Sequence, residues 1–470
     1  MDFGHIKKER EALVGQMKQY SPLLAPYFNC QDSLATYSAG LHAIPRADFY
    51  TERQAFIKKK IIAKFQDLFG ADAVEKFAID LDRTLASNIV DHHIVLSHPQ
   101  FISQNIIADA RKFFSSTKPS AIVAITSGDT PPNNFFSKNG MMFHGKKLPL
   151  FSNAEKDACS YYLPKRTFDF IERIKQQKRW HEFNKPEQEY LEQEQVRFNS
   201  INFSRCRDYN DQVSVQVRDT WPLMFDAGVR STVPELLYIT QEELTTACLI
   251  DLLAEDTFIS RALFDEAFRT RVLDNFRGIV VTWDEVTGKG THFFWRKHPT
   301  EPVALRCYLK DGRLVPHDER HASLAFNVDK DTIINLLKKR EIFPSLFMIF
   351  SVLHMYGGIK PLVGQGSMTY LNIFRDEWVK TLEEAEYAEE REHIRSLPIN
   401  GLIAAVCLFQ NQHGTVRVAH GQDVLYGGGL TADYLHTIFA LPFGSLFTVS
   451  AIDVYNYIAQ KYIPKEKQLP

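Results

Sequence analysis

Residues 121–126 read AIVAIT, an unbroken run of apolar and β-branched residues closed abruptly by Ser127-Gly128-Asp129-Thr130-Pro131-Pro132-Asn133-Asn134. A short run without polar alternation is the pattern of a strand covered on both faces, as in a parallel sheet flanked by helices. Just upstream, Ser97-His98-Pro99-Gln100 has the form of a capping box with proline in the first turn, and Ile102, Ile106, Ala110 and Phe113 continue at helical spacing. A helix therefore starts near His98 and returns the chain to the buried strand. Further back, Val74, Phe77, Ala78, Leu81, Leu85 and Ile89 follow the same period and predict a helix from Asp72 to near Val90, with DHHIVLSH (91–98) as the loop between the two helices.

A helix packed before a strand runs antiparallel to it, so the start of the His98 helix belongs at the carboxyl edge of AIVAIT. Open α/β sheets bind their ligands at that edge. The loops 91–98 and 127–134 are thus expected to meet there and form one site. Imidazole nitrogen and carboxylate oxygen suit a divalent metal, namely zinc, iron or manganese. In this reading Asp91, His93 and His98 are the metal ligands, and Asp129 is a base or fourth ligand. His93 and Asp129 carry the catalysis, and Ser127, Asn133 and Asn134 bind a small polar or anionic substrate. Neighbouring His92 and His93 point in different directions in extended chain, so only one of them accompanies Asp91. Two alternatives stand beside metal-dependent hydrolysis. One is a metal-free acid–base enzyme using His93 and Asp129. The other is a non-catalytic interaction scaffold, in which these polar residues only cap helices and make turns.

The triplet Asp91-His92-His93 resembles that of the DHH phosphoesterases. That family sets its triplet at a strand end and requires upstream aspartates in an H-x-x-x-D-x-D-like element. Here LHAIPRAD (41–48) supplies only His42 and Asp48, and the resemblance covers the triplet alone.

Farther along, charged helical stretches occupy DFIERIKQQKRWHEF and EQEYLEQEQVRF, and helices are expected at 241–254 and 258–275. Two hairpin-like units follow, turning at TGKG (287–290) and at Asp311-Gly312, and they predict a small antiparallel sheet. In the first unit His292 and Arg296 are candidate anion contacts beside Phe293, Phe294 and Trp295. Helices at DKDTIINLLKKR, PSLFMIFSVLHMY and 373–395, strands at GLIAAVCLF and TVRVAHG, and a helix from Ala432 complete the pattern. The glycine-rich stretches 355–367 and 419–431 lack the full G-x-G-x-x-G frame and read as turns, and His354, in an apolar helix, reads as a hydrogen-bonded core residue. Mixed elements of this kind give an α/β or α+β protein of several domains. We divide it into a helix-rich α/β segment 1–168, a mainly helical connection 169–275, and an α+β region 276–470.

Among 470 residues, 44% hydrophobic and 24% charged, 55 basic residues nearly balance 57 acidic ones. The chain as a whole carries no electrostatic footprint for nucleic acid or an anionic membrane. Its longest apolar stretch, 342–356, is too short to span a bilayer, and its N-terminus lacks the apolar core of a secretory signal. The six cysteines are scattered without a C-x-x-C pair. A soluble cytoplasmic protein is expected. No G-x-S-x-G, H-E-x-x-H or kinase motif occurs.

Overall fold

A computed structural model describes residues 3–20, 22–42, 48–75, 86–114, 120–384, 387–412 and 414–453. Its centre is a five-stranded parallel sheet made of β1 (Ala86–Asn88), β2 (Ala121–Thr126), β3 (Glu235–Thr240), β4 (Lys360–Val363) and β5 (Gly401–Leu402). The spatial order is β5-β4-β1-β2-β3. The chain therefore moves outward in one direction from β1 to β3, then returns to the other side of β1 for β4 and β5. Such a reversal leaves a crevice at the carboxyl ends of β1 and β4, where their connections part to opposite sides.

AIVAIT forms β2, buried along its whole length and paired residue for residue with Glu235–Thr240. The expected helix starts as read, as α2 (Pro99–Ala108), with His98 as its N-cap. The long helix expected over 72–90 does not hold. A short helix ends at Glu75, residues 76–85 lie outside the described residues, and Ala86–Asn88 is a central strand in register with Lys360–Leu362. Polar residues are tolerated in β1 because each finds a partner on its own face. Ser87 Oγ donates to the Val123 carbonyl at 3.0 Å, and Asn88 Nδ2 donates to Asn105 Oδ1 on α2 at 3.1 Å.

Successive strand residues face opposite sides of a sheet. Ser87, with Val123 and Ile125, faces Gln54, Lys58 and Ile61 of α1 (Thr51–Phe69), whereas Asn88 faces α2, so helices cover both faces. Three more helices matter below: α3 (Tyr209–Thr220), α4 (Gln241–Leu252) and α5 (Gln365–Glu384). The segments 1–168, 169–275 and 276–470 all give strands to this one sheet, so the segment boundaries run through its connections.

Small antiparallel pairs lie outside the sheet. The turn at Asp311-Gly312, with φ of 48° and 73°, joins Cys307–Lys310 to Arg313–Pro316 as expected, and Lys289–Gly290 pairs with Trp283–Asp284. Among the described residues no helix is long and apolar enough to cross a membrane.

Candidate active site

The loops leaving β1 and β2 meet, as the packing direction requires. Ser127 N–H donates to the Asp91 carbonyl at 3.0 Å, and His93 N–H donates to the Ser127 carbonyl at 2.7 Å, which extends parallel pairing past the strand ends. Beside this junction lies a cavity of about 470 Å3. It draws its walls from the carboxyl ends of four strands. Ile89, Val90 and His92 follow β1, Ser127, Asp129, Thr130 and Asn134 follow β2, Gln241 follows β3, and Gly364 to Ser367 follow β4. Gln100 of α2, Phe135, Phe136, Leu346, Phe350 and Tyr370 close it.

Alternation along the extended segment decides which of the paired histidines is available. His92 faces the cavity. Its Nδ1 lies 3.1 Å from Asn134 Oδ1, an acceptor that also takes the Phe136 and Ser137 N–H groups. His92 therefore carries its proton on Nδ1 and presents an unprotonated Nε2. Burial depresses its pKa to about 4, so the ring is neutral at physiological pH.

His93 is a structural residue, contrary to the sequence reading. Its Nδ1 is 2.6 Å from Thr126 Oγ1 and its Nε2 is 2.7 Å from the Asn210 carbonyl. Both ring nitrogens are thus engaged, and burial again lowers the pKa to about 4. The ring ties the β1 exit to α3 and does not line the cavity.

The other expected metal ligands are also committed elsewhere. Asp91 is fully buried, and its Oδ2 accepts from Asn105 Nδ2 at 2.6 Å and from the Tyr238 hydroxyl at 2.5 Å. Burial raises its pKa to about 7 in spite of these donors. His98 Nδ1 accepts the Gln100 N–H at 3.2 Å as part of the α2 cap. Among the described residues no three His, Cys, Asp or Glu side chains are placed to hold a metal ion, so Asp91, His93 and His98 do not form the expected set for zinc, iron or manganese.

Asp129 does line the cavity, and its partner is a residue the sequence reading did not select. Glu242, in the first turn of α4, is wholly buried, and its Oε2 accepts the Gly128 N–H at 2.8 Å. Its Oε1 has no hydrogen-bond donor among the described residues, and the Asp129 carboxyl lies within hydrogen-bonding reach of the Glu242 carboxyl. Two carboxyls bond to each other only when one keeps a proton. Burial raises both pKa values, and the Asp129 charge adds to the rise at Glu242. Glu242, the more enclosed and the more strongly shifted, is the member of the pair whose neutral form burial favours more. None of the described lining residues is a lysine or arginine, so nothing there neutralises a second negative charge.

Two glycines make this approach possible. A Cβ on Gly128 would stand 2.6 Å from Thr240 Cγ2 and 2.8 Å from both Asn210 Nδ2 and Glu242 Oε2. One on Gly364 would meet Val90 Cγ1 at 2.8 Å, closing the crevice between β1 and β4.

Of the expected substrate contacts, Ser127 and Asn134 line the cavity. Ser127 Oγ accepts from Gln241 Nε2 at 2.5 Å. Asn133 is exposed and its N–H donates to the Lys156 carbonyl. His292, in a bend beside the small antiparallel strands, is buried against Glu285, at 2.8 Å, and Arg296, in the strand Phe294–Lys297, pairs with Glu341, at 2.8 Å; neither lines the cavity. The reading of 355–367 as plain turns is also corrected, because Gly364-Gln365-Gly366-Ser367 leaves β4, opens α5 and lines the cavity. The chain matches no protein-family model and no curated protein.

Proposed function

We propose that this chain is a soluble, cytoplasmic acid–base enzyme acting without a metal on a small polar molecule held between the exits of β1, β2 and β4. The reading is carried by the Asp129–Glu242 pair, the wholly buried Glu242 beside Asp129 at a cavity lined by no cation among the described residues, and on this reading the two carboxyls share one proton, held by Glu242. Perturbed titratable groups in a cleft at this edge of an α/β sheet are characteristic of catalytic sites.

The division of labour follows from burial. Asp129, in contact with the cavity, takes the proton of a ligand hydroxyl or of a water and returns it later. Glu242 touches Asp129 and not the ligand. It is a positioning residue whose hydrogen bond lowers the Asp129 pKa, against the burial that raises it. Neutral His92 accepts a hydrogen bond through Nε2, and Ser127, Gln241 and Gln365 supply further polar contacts. Of the four donors expected for metal-dependent hydrolysis, only Asp129 is at the cavity, which favours the metal-free alternative. The six free cysteines, five of them buried, agree with a reducing compartment.

A panel of hydrolysis and isomerisation substrates tests the reading. Turnover found with the wild type is expected to fall at least 100-fold in Asp129→Asn. In Glu242→Gln it is expected to persist, with the acidic limb of its pH profile moved to higher pH, because the hydrogen bond from Glu242 lowers the Asp129 pKa. Unchanged turnover in Asp129→Asn would overturn the proposal.

A further inference from the structure

We infer that the occupant of the cavity is an uncharged nucleoside, bound with its ribose hydroxyls on Asp129 and its base among the aromatic side chains. The inference rests on the site proposed above and names its substrate class.

Charge comes first. With no lysine or arginine among the described lining residues, and an ionised Asp129 on its wall, the cavity offers no side-chain cation to a phosphate. It is rich in neutral hydrogen-bonding groups instead, including Gln100, Ser127, Gln241 and Gln365. An ionised carboxylate is purely an acceptor, and one Asp129 oxygen receives the Glu242 proton. The remaining lone pairs call for donors from the ligand, and two neighbouring hydroxyls supply them.

Position gives the second argument. In a doubly wound sheet the crevice beside the switch point is where a carboxylate takes ribose hydroxyls. Asp129 lies three residues beyond β2, next to the β1/β4 reversal.

Shape gives the third. Phe135 and Phe136 stand at one wall with ring centroids 5.2 Å apart, while Phe350 and Tyr370 form a stacked pair with centroids 6.1 Å apart. Ile89 and Leu346 add apolar surface. A hexose carries hydroxyls around its whole rim and would press them against these groups. A nucleoside separates its polar and flat apolar halves, as the cavity does.

The test is calorimetric titration of the full chain at pH 7.5 with adenosine, uridine, 2′,3′-dideoxyadenosine, adenosine monophosphate and methyl glucoside. We expect at least one ribonucleoside to bind, the dideoxy compound to lose 10-fold or more, and the monophosphate to bind more weakly than adenosine. Asp129→Asn should bring adenosine and its dideoxy analogue to within about 3-fold of each other. The ligand series needs no variant, so a folding defect in Asp129→Asn leaves the test intact. Equal affinity for the ribo and dideoxy compounds, tighter binding of the monophosphate, binding of methyl glucoside alone, or no nucleoside binding at millimolar concentration would each overturn the inference. A protonated carboxyl seen at neutral pH in the wild type and missing from Glu242→Gln, a difference in which Asp91 cancels, would show that only the substrate class had failed. Its absence would show that the acid–base site itself had failed.

Discussion

Glu242 and Glu243 are neighbours in the first turn of α4, yet they occupy opposite electrostatic worlds. Glu243 lies within 2.7 Å of Lys64, 2.6 Å of Arg207 and 2.6 Å of Arg340. Those cations also hold Asp211 and Asp208, in a cluster of three acids and three bases between α1, α3 and α4. Burial pushes the Glu243 carboxyl up, but Lys64, Arg340 and Arg207 outweigh it and hold the pKa below the usual range. Glu242, fully buried where Glu243 is partly exposed, faces a second carboxyl instead of a cation and is pushed well above that range. A compensated cluster of this kind fixes helices to one another. An uncompensated pair costs stability, and its persistence beside a cavity is the mark of a site.

Removing a partner from the compensated side should have the largest effect. Glu243→Gln leaves three cations facing two acids, and urea unfolding at pH 7 should show a loss of about 3 kcal/mol. A loss below about 0.5 kcal/mol would mean that the cluster is solvated and the contrast is false.

Next is Gly128→Ala, whose Cβ would strike Thr240, Asn210 and Glu242. Displacing the loop should cost about 2 kcal/mol of overpacking strain. It should also weaken the binding of any cavity ligand more than Ala at the exposed Asn133 does.

Glu242→Gln should act in the opposite direction. A carboxyl whose pKa is higher in the folded than in the unfolded state contributes stability that is complete below the unfolded value. That stability is lost as pH rises through the folded value. The wild type should therefore lose stability as pH rises above the usual carboxylate range on this account. The variant should lose less and gain about 1 kcal/mol over the wild type at pH 8. Glu243 gives the mirror image. Its lowered pKa makes its contribution present above the unfolded carboxylate range and lost on acidification.

The smallest effect is expected for Asp91→Asn, a change of less than about 1 kcal/mol at pH 6, because the carboxyl with a pKa of about 7 is already mostly neutral there. The variant should lack the decline in stability that Asp91 gives the wild type as pH rises through 7.

The same contrast explains what the sequence could reveal. AIVAIT, the helix start at His98 and the meeting of loops 91–98 and 127–134 all follow from local patterns that tertiary packing preserves. Three strands of the sheet escaped, β4 among them because the glycines around Lys360–Val363 read as turns. β1 is the polar tripeptide Ala86-Ser87-Asn88 inside a helical period, and its stability comes from partners on other elements. β3 runs directly into α4 through the cap at Thr240, and the helical pattern of 241–252 overshadowed it.

At the site, Asp129, Ser127 and Asn134 were legible because loops at that sheet edge collect ligands. Preferring His93 to His92 turned on one residue of alternation, which depends on the backbone past Asn88. Nothing in the string Gln241-Glu242-Glu243-Leu244 separates a site carboxyl from a structural one, since the difference lies wholly in which residues face it. The Gly364-Gln365-Gly366-Ser367 turn did carry a signal. An apolar run precedes it and a helical pattern follows, the context in which a short glycine pair opens a binding helix.

The most direct measurement is the infrared band of protonated carboxyl groups at pH 7, recorded as the difference between wild type and Glu242→Gln. Asp91 is present in both proteins and cancels. A protonated carboxyl present in the wild type and missing from the variant is the predicted result. Superimposable spectra would mean that Asp129 and Glu242 share no proton, and would contradict the account at its centre.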